Sequence, residues 1–417
     1  MDAEIIAVGS EMLTPERVDT NSLYLTGELN NLGIEVVAKY VIGDHLERLA
    51  DTVRRALSRS GLVILSGGLG PTEDDLTREA VALALGRNLV FHAEIAEALE
   101  KRFAQIKRKM SEVNKRQGFA IEGADILPNG LGTAPGQWVE ESDGVVVLLP
   151  GPPHELEAMF ERQCLPRLAR IAPPQAIRTV FLRLTGMPES DLDQLISPVY
   201  KKYENPATTI LAANGDLQVH LRARCRTAAE AEALLAEVAG PIEALLGDRI
   251  YSRNGDALEV VVGGMLHQRR ATLSVAESCT GGMLGGRVTG VAGSSDYFAG
   301  GFIVYSDEMK MRLLGVAQET LAQFGAVSRE AAEAMAIGAR GRTGSTYALS
   351  VTGVAGPGTG TGPGGESIPA GTVYVGLADE GGAHVVHRQF LGDRQRVRVF
   401  TTQMALDLLR RRLMGRL

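Results

Sequence analysis

The sequence has few cysteines and no long apolar run, and each absence excludes a class of protein. The three cysteines, Cys164, Cys225 and Cys279, are too few and too scattered for a disulfide framework or a thiolate metal site. We therefore expect a reducing, cytoplasmic location. The apolar start AEIIAVG lacks a basic segment and a cleavage site, and no apolar run reaches the roughly 18 residues that a membrane-spanning helix needs. We expect a soluble protein with no membrane partner.

An excess of positive charge is also missing. The formal net charge is −7, with 43 Lys and Arg against 50 Asp and Glu, which argues against a broad nucleic-acid-binding face and leaves only a local basic patch open. Hydrophobic residues make up 45% of the chain and charged residues 22%, as in globular proteins. Because 417 residues exceed what one hydrophobic core usually supports, the length predicts two or three domains.

Hydrophobic periodicity divides the chain into three regions. Residues 1–172 alternate short apolar runs with amphipathic helical segments, a pattern typical of βαβ units around a mostly parallel sheet. Residues 173–252 hold two alternating strands and two helix candidates without a catalytic constellation, so we expect a spacer or docking module. The α/β alternation returns in residues 253–417. The predicted fold class is α/β, with two three-layer α/β domains joined by a small α+β module.

A glycine cluster, ILSGGLGPTEDDLTREAV, joins an apolar strand to an amphipathic helix in the first region. Glycines allow a ligand to approach the backbone closely, and the helix start offers N–H groups that favour phosphate. Asp74 and Asp75 follow where carboxylates can bind a metal on such phosphates. A tight turn in which Thr72 and the two acids cap the helix explains the same residues, and both interpretations stay open. Neither a Walker A pattern nor G-x-G-x-x-G occurs here.

Two other motifs fail as known signatures. The stretch LLPGPPHELEAMF fits a stiff strand-to-helix corner, and its His154-Glu155 pair lacks the second histidine of a zinc motif. The loop GPGTGTGPGGES contains one G-x-G-x-x-G match, Gly360 to Gly365, but a strand follows it, so the dinucleotide-binding context fails. We favour a mobile loop that covers a substrate.

The stretch ATLSVAESCTGGML runs from a strand into a small-residue turn and an apolar helix. Ser278 should lie near the helix N-terminus, where N–H groups can stabilise an oxyanion or hold a phosphate. Helix capping alone also explains this serine and is preferred without further support. Support comes from Tyr305 and Lys310 in the next βα unit, because a partly desolvated lysine can act as base to a serine. An ordinary exposed lysine is the alternative for Lys310.

Cys279 competes with Ser278 for the role of nucleophile. No histidine lies nearby in sequence to lower its pKa, although a helix N-terminus can do so. Adjacent positions point in different directions, and cysteine is commonly buried. We therefore expect Ser278 to face the site and Cys279 to face the core.

At this point the motifs, in their order along the chain, resemble the competence/damage-inducible CinA family. The first domain resembles the family's molybdopterin-binding-like domain through AEIIAVGSEML, VDTNSLYL, VIGD, SGGLGPTEDDLT and LPGPPHELEAMF. The last domain resembles the nicotinamide mononucleotide (NMN) deamidase domain through AESCTGG, GSSDYFAGGFIVYSDEMK, GAVS, VTGVAGP and GTVYVG. The resemblance covers nearly the whole chain.

For the last domain, the resemblance implies hydrolysis of NMN to nicotinic acid mononucleotide and ammonia, without a cofactor. Ser278 matches the nucleophile, Lys310 its base and Tyr305 a supporting hydroxyl. Backbone N–H groups near Gly281 and Gly282 would receive the oxyanion. Arg394 is our choice for the substrate phosphate, because its planar fork suits that group. The expected substrate-binding residues are Thr280, Gly281, Gly282, Thr352, Gly353 and Arg394.

For the first domain, the resemblance implies cleavage of ADP-ribose to AMP and ribose 5-phosphate with a divalent metal, Mg, Mn or Co. Asp44 and Asp75 match acidic positions of the family and are the candidate metal ligands. The expected substrate-binding residues are Asn21, Gly67, Gly68, Gly70, Thr72, Asp74, Gly151, Pro152 and Glu155. The stretch TPERVDTNS lacks a glycine that the family often carries before Asp-Thr-Asn, which puts the geometry of this loop in doubt.

Two alternatives compete with a bifunctional hydrolase. The first domain can hold a pterin or nucleotide without turnover while the chain serves as a partner in competence or DNA repair, or it can transfer an adenylyl group to molybdopterin. No sequence feature specifies a partner protein. The resemblance implies a homodimer, and we expect no direct nucleic-acid binding.

Overall fold

The computed structural model describes residues 1–105, 107–142, 144–213 and 215–417. These residues form two compact units: one is Met1–Arg178 with Ala223–Leu234, and the other is Thr179–Arg222 with Leu235–Leu417. The predicted α/β class is confirmed, since helices and mixed sheets alternate through the chain. Among the described residues, no helix combines the length and the apolar character required to cross a bilayer.

The first domain is built on a six-stranded sheet in the order β2-β1-β3-β8-β7-β6. The first four strands in this order run parallel, and the last two are antiparallel. A small antiparallel pair, β4 with β5, stands apart from the sheet. The strands are β1 Asp2–Val8, β2 Glu35–Ile42, β3 Leu62–Ser66, β4 Leu89–Phe91, β5 Phe119–Ile121, β6 Asp125–Leu127, β7 Gly136–Glu141 and β8 Gly144–Leu149. The helices are α1 Asn21–Asn31, α2 Leu46–Leu57, α3 Thr77–Leu85, α4 Ala93–Gln105, α5 Pro153–Met159 and α6 Leu165–Ile171.

Both faces of this sheet are covered. Ile5 and Ile6 are fully buried but belong to separate cores, because successive side chains of a strand point to opposite faces. Ile5 packs in the core that contains residues of α1, α5 and α6, and Ile6 packs in the core of α2 and α3. This is the predicted three-layer packing. The parallel strands end at one edge, which brings the segments after β1, β3 and β8 together.

The middle region forms a four-stranded sheet in the order β10-β11-β9-β12 with two helices. The strand β11 Asp216–Cys225 buries alternate residues, as the sequence pattern predicted, whereas β9 Ala176–Leu184 buries Ile177, Leu182 and Leu184. The remaining elements are α7 Glu189–Tyr200, β10 Ala207–Ala213, α8 Ala228–Leu246 and β12 Ile250–Ser252.

The last domain has a five-stranded sheet in the order β14-β13-β15-β18-β19, in which β14, β13 and β15 are parallel. Its strands are β13 Leu273–Glu277, β14 Phe298–Ile303, β15 Tyr347–Gly353, β16 Gly360–Thr361, β17 Ser367–Ile368, β18 Thr372–Asp379 and β19 Gly382–Gln389. Its helices are α9 Leu258–Arg269, α10 Met283–Thr289, α11 Asp307–Leu314, α12 Gln318–Phe324, α13 Arg329–Thr343 and α14 Arg394–Leu413.

The strand β13 lies between two parallel neighbours, and its side chains alternate between two cores. Val275 packs in the core of α9, α10 and α14, whereas Ala276 packs in the core of α11, α12 and α13. The glycine-rich segment that we predicted as a mobile cover forms a hairpin of β16 and β17. Its residues Glu366 and Ile368 bound a cavity of about 480 Å³ together with Tyr374 and His387.

Candidate active sites

The carboxyl edge of the first sheet bounds a cavity of about 610 Å³. Its walls come from the segments that follow β1, β3 and β8 and from the start of α1. Ten of the residues predicted for this site line it: Asn21, Asp44, Gly67, Gly68, Gly70, Asp74, Asp75, Gly151, Pro152 and Glu155. Thr72 is not among the lining residues, because its amide and its hydroxyl both donate hydrogen bonds to Asp75.

The glycine loop after β3 takes a backbone shape that requires glycine. Gly67 and Gly68 have φ values of 99° and 64°, and a Cβ on Gly67 would collide with the carbonyl oxygen of Val8. The Thr77 hydroxyl donates to the Gly67 carbonyl oxygen at 2.8 Å. The loop is therefore closed against the strand edge by its own backbone and by the first residue of α3.

Arg78 supports the same loop from below and was missed by the sequence analysis. Its side chain is 1% exposed, and its guanidinium donates to the carbonyl oxygens of Leu69 at 2.7 Å and Gly70 at 2.9 Å. Burial lowers the pKa of this guanidinium. The sequence did not indicate that Arg78, the second residue of α3, is buried. The carbonyl oxygens that accept its hydrogen bonds come together only in the folded loop.

The two predicted metal ligands make hydrogen bonds within the protein. Asp75 accepts from the Gly70 amide at 2.8 Å through Oδ1 and from Thr72 through Oδ2, so its carboxylate caps the loop. Asp44 accepts from the Ser10 amide at 2.7 Å through Oδ2, and its Oδ1 has no hydrogen bond from the rest of the described chain. Asp44 is thus the better placed of the two to bind a metal, and the capping interpretation of Asp75 accounts for its contacts.

The cavity carries an excess of negative charge. Among its lining residues, Arg17 is the one cationic side chain, against the six carboxylates of Glu11, Asp19, Asp44, Asp74, Asp75 and Glu155. No group of three or more His, Cys, Asp or Glu in the described part of the chain is arranged to hold a metal by itself. One or two carboxylates plus substrate phosphates suffice for Mg²⁺, which prefers such hard oxygen ligands. The donor set therefore fits a divalent ion bound together with a phosphate.

Two hydrogen bonds hold residues of the cavity wall in place. The Asn21 amide group donates to the Gly151 carbonyl oxygen at 2.8 Å, and its Oδ1 is buried without a partner in the described residues. Glu155 accepts from the Asn129 amide group at 2.7 Å. The unpaired Asn21 oxygen is an acceptor that a ligand hydroxyl or amino group can satisfy.

In the last domain, Ser278 follows β13 at the point where that strand lies between its two neighbours. The Ser278 amide donates to the Val351 carbonyl oxygen at 2.9 Å, and the Val304 amide donates to the Glu277 carbonyl oxygen at 2.8 Å. Ser278 is 8% exposed, and its hydroxyl makes no hydrogen bond to any described residue. The serine is held by its backbone and keeps its hydroxyl available.

The residues after Ser278 form a tight turn that leads into α10. The Gly281 amide donates to the Ser278 carbonyl oxygen at 3.1 Å, and the φ values of Gly281 and Gly282, 56° and 93°, require glycine. The Gly282 amide donates to Glu277 Oε2 at 3.0 Å. The amides of Gly281 and Gly282 themselves are thus engaged within the turn.

Ser278 and Cys279 belong to opposite sides of the sheet. Strand alternation puts Ser278 on the face of Ala276, toward α11 and α13, while Cys279 packs in the core of α9 and α14. Burial raises the pKa of the Cys279 thiol to about 11, against the opposing effect of Arg394 and Arg398. The thiol is therefore protonated near neutral pH, and Ser278 is the stronger candidate nucleophile.

Lys310 is a buried lysine on the same face as Ser278. Its side chain is 1% exposed, so the exposed-lysine alternative is wrong. Its Nζ donates to the Tyr305 carbonyl oxygen at 3.4 Å and to Asp307 Oδ1 at 3.5 Å. No hydrogen bond joins Lys310 to Ser278 in the described structure. Proton transfer between them stays a prediction.

Arg394 and Tyr305 contact each other beside this turn. Arg394 begins α14, and its guanidinium donates to the Tyr305 hydroxyl at 3.2 Å and to the Gly356 carbonyl oxygen at 3.0 Å. The Tyr305 side chain is 63% exposed. Two residues that lie 89 positions apart in the sequence are therefore brought together, with the guanidinium open to solvent for an anionic ligand.

Thr352 and Gly353 lie at the end of β15, next to Ser278, but serve packing contacts. The Thr352 hydroxyl donates to the Ala326 carbonyl oxygen at 2.6 Å, and its side chain is buried. A Cβ on Gly353 would crowd the Thr372 carbonyl oxygen and Val373. Neither offers a free polar side-chain group, and their place in the predicted pocket stays a prediction.

Comparisons with known proteins agree with this arrangement of domains. Residues 4–170 match a probable molybdopterin binding domain, residues 179–252 a damage-inducible protein CinA KH domain, and residues 255–413 the CinA C-terminal domain. The chain is 70% identical over 416 residues to a CinA-like protein of Solibacter usitatus, covering 100% of this chain and 99% of that protein. The chain belongs to the CinA family.

Other CinA relatives extend the same likeness. A putative competence-damage inducible protein of Clostridium botulinum is 40% identical over 413 residues, 99% of this chain and 100% of that protein. Among solved structures, competence damage-inducible protein A from Klebsiella pneumoniae is 34% identical and covers 38% of this chain and 95% of its own, with a TM-score of 0.36. The protein CinA from Thermoplasma acidophilum is 30% identical over 40% of this chain and 99% of its own, with a TM-score of 0.38.

In this CinA chain, Glu277 is the second supporting residue that the sequence analysis missed. Its carboxylate is 1% exposed and accepts hydrogen bonds from the amides of Gly282 and Leu284 at 3.0 Å and of Gly285 at 2.7 Å. A carboxylate at a helix N-terminus is favourable because it satisfies free N–H groups and the helix dipole. An acidic residue shortly before a predicted helix was the signal that could have identified it.

Proposed function

We propose that the last domain hydrolyses the carboxamide of nicotinamide mononucleotide through an acyl-enzyme on Ser278. The observation that carries the proposal is the unpaired hydroxyl of Ser278 at the end of β13, with the buried Lys310 after the neighbouring strand β14 and the exposed guanidinium of Arg394 at the start of α14. A serine needs a base to lose its proton, and an oxyanion needs donors in place before it forms. The family resemblance supplies the substrate.

The reaction proceeds in two halves. Ser278 Oγ forms a bond to the carboxamide carbon while its proton passes to the amine of Lys310. The C–N bond of the carboxamide then breaks, and Lys310 gives its proton to the leaving nitrogen so that ammonia is released. In the second half, water attacks the ester carbon and gives a proton to Lys310. The ester bond to Ser278 then breaks, Lys310 returns the proton to Ser278 Oγ, and the carboxylate product leaves.

The oxyanion donors in this proposal are the amides of Cys279 and Thr280. In a turn closed by the amide of its fourth residue, the two central amides are not used by the turn itself. The turn that starts at Ser278 is closed by Gly281, and neither central amide makes a hydrogen bond within the described chain. Arg394 binds the substrate phosphate, since its guanidinium is the charged donor next to Tyr305.

The direct test is a product assay on the full chain with nicotinamide mononucleotide. We expect equal release of ammonia and nicotinic acid mononucleotide, at a rate that excess chelator leaves unchanged, because no step uses a metal. Ammonia release that requires added Mg²⁺, or no release at all, would contradict the proposal.

We propose that the first domain cleaves the pyrophosphate bond of ADP-ribose to give AMP and ribose 5-phosphate. The size of the cavity, about 610 Å³, suits a nucleotide, and its glycine loop permits close approach of a phosphate. A divalent ion held by Asp44 with phosphate oxygens would neutralise charge and polarise the pyrophosphate. The protein's own part is to hold the loop through Arg78 and to offer Asn21 Oδ1 to the ligand.

Metal dependence distinguishes this cleavage from the deamidation that we propose for the last domain. We expect AMP formation to stop in excess chelator, and Asp44→Asn to raise the Mg²⁺ concentration for half-maximal rate by about tenfold or more. Asp51→Asn is the matched control, since Asp51 is a half-exposed acid of α2 that pairs with Arg55 outside the cavity. An Asp44→Asn chain with the metal requirement of the wild type would refute the role of Asp44.

The same assay decides between cleavage and the alternatives. ADP-ribose that binds the full chain without forming AMP would favour a binding domain, in agreement with the match to a probable molybdopterin binding domain. An adenylylated product from pterin and ATP would favour adenylyl transfer.

A further inference from the structure

Arg398 contacts the turn after Ser278 from the side of α14. It lies one helical turn beyond Arg394, so both side chains project from the same face of the helix. Its Nη2 donates to the Thr280 carbonyl oxygen at 2.7 Å. The same nitrogen would lie 3.6 Å from a Cβ placed on Gly281, so the guanidinium packs against the turn.

Two polar atoms at this contact are buried without a partner. Among the described residues, neither Arg398 Nε nor Thr280 Oγ1 has a hydrogen bond, and the Thr280 side chain is completely buried. Removing a donor of a charged group from water without an acceptor is unfavourable. The contact is therefore not explained by stability alone, and unpaired buried groups of this kind concentrate at functional sites.

The charge of Arg398 is also uncompensated. Its side chain forms no ion pair with a carboxylate in the described structure. Burial dominates the raised pKa of Cys279, and the positive charges of Arg394 and Arg398 act against it. A fixed cation beside the central amides of the turn favours negative charge that develops there.

We propose that Arg398 is a positioning residue for Ser278, which fixes the turn through the Thr280 carbonyl so that the Cys279 and Thr280 amides face the oxyanion. This inference rests on the proposed deamidase function. Arg394 binds the substrate, whereas Arg398 acts through the turn. The two arginines, four residues apart on one helix, thus affect different kinetic constants.

Steady-state kinetics on the full chain test this division. We expect Arg398→Ala to lower kcat for ammonia release from nicotinamide mononucleotide by about 10- to 100-fold, with KM changed by less than about threefold. Arg394→Ala should mainly raise KM. Added guanidinium ion should restore part of kcat to Arg398→Ala.

Arg396→Ala is the matched control, because Arg396 lies on the same helix over the Phe400 ring, and it should leave both constants unchanged.

Arg398→Lys keeps the charge but not the planar fork, and it provides the test if the alanine variant does not fold. It should also lose kcat without a matching rise in KM. An unchanged kcat in a folded Arg398 variant, or a rise in KM alone, would overturn the positioning role. Absence of turnover in the wild type would instead overturn the deamidase proposal, so the two failures are distinguishable.

Discussion

Replacing Ser278 with alanine should reduce ammonia release from nicotinamide mononucleotide by about 1000-fold or more. The hydroxyl is the bond-forming atom of the proposed acyl-enzyme, and loss of a nucleophile typically removes most of the rate that covalent catalysis supplies. The substitution should not disturb the fold, because Ser278 is held by its amide and its hydroxyl has no hydrogen bond to a described residue. Initial rates with purified full chain, and a thermal unfolding curve for each variant, measure both effects.

Cys279→Ala is the matched control for this result. Burial keeps the pKa of the thiol at about 11, so at pH 8 nearly all of it is protonated and unable to attack. A thiolate forms only as the pH approaches 11. We expect kcat within about threefold of the wild type, together with a modest loss of stability from the small cavity. Loss of activity in Cys279→Ala with retention in Ser278→Ala would identify Cys279 as the nucleophile.

Replacing Glu277 with alanine should loosen the turn that carries Ser278 and also abolish most activity. Three backbone amides donate to this buried carboxylate, and each hydrogen bond to a charged group contributes about 1.5–3 kcal/mol. Allowing for relaxation, we expect a loss of about 3 kcal/mol in the local opening free energy. Amide hydrogen exchange in residues 278–289 should then be about 100-fold faster.

Two variants control for this effect. Glu277→Gln keeps the shape but turns an N–H group toward N–H donors, so its exchange rates should lie between those of the wild type and the alanine variant. Glu308→Ala removes an exposed acid of α11 and should change neither exchange in residues 278–289 nor turnover. Wild-type exchange in Glu277→Ala would show that the carboxylate does not support the turn.

The sequence predicted the elements around Ser278 better than their contacts. Strand, turn and helix follow one another as the pattern of ATLSVAESCTGGML indicated, and the two glycines adopt the backbone shapes that small residues permit. Glu277 and Ser278 occupy the amides of Gly282 and Gly281, so the oxyanion predicted near these glycines needs other amides of the turn. Hydrogen bonds between a side chain and a loop backbone depend on the conformation of the loop, which no periodicity encodes.

In the first domain, too, the sequence predicted the positions of charged residues better than their contacts. The glycine loop and its acids line one cavity, but the sequence could not separate a metal ligand from a cap. Asp75 closes its own loop, whereas Asp44 leaves one oxygen free, and Arg78 is buried although most arginines are exposed. Each outcome depends on which partners the fold places within hydrogen-bond distance.

The sequence by itself determined the α/β class, the three-layer packing and the places where glycines, a serine and acids interrupt the strands. These follow from short-range periodicity and from the conformational needs of glycine. Only the tertiary structure decided that Lys310 is buried, that Arg78 supports the glycine loop, and that Arg394 contacts Tyr305. Those facts depend on burial and on contacts between distant residues, which arise only when the sheet edges and helices come together.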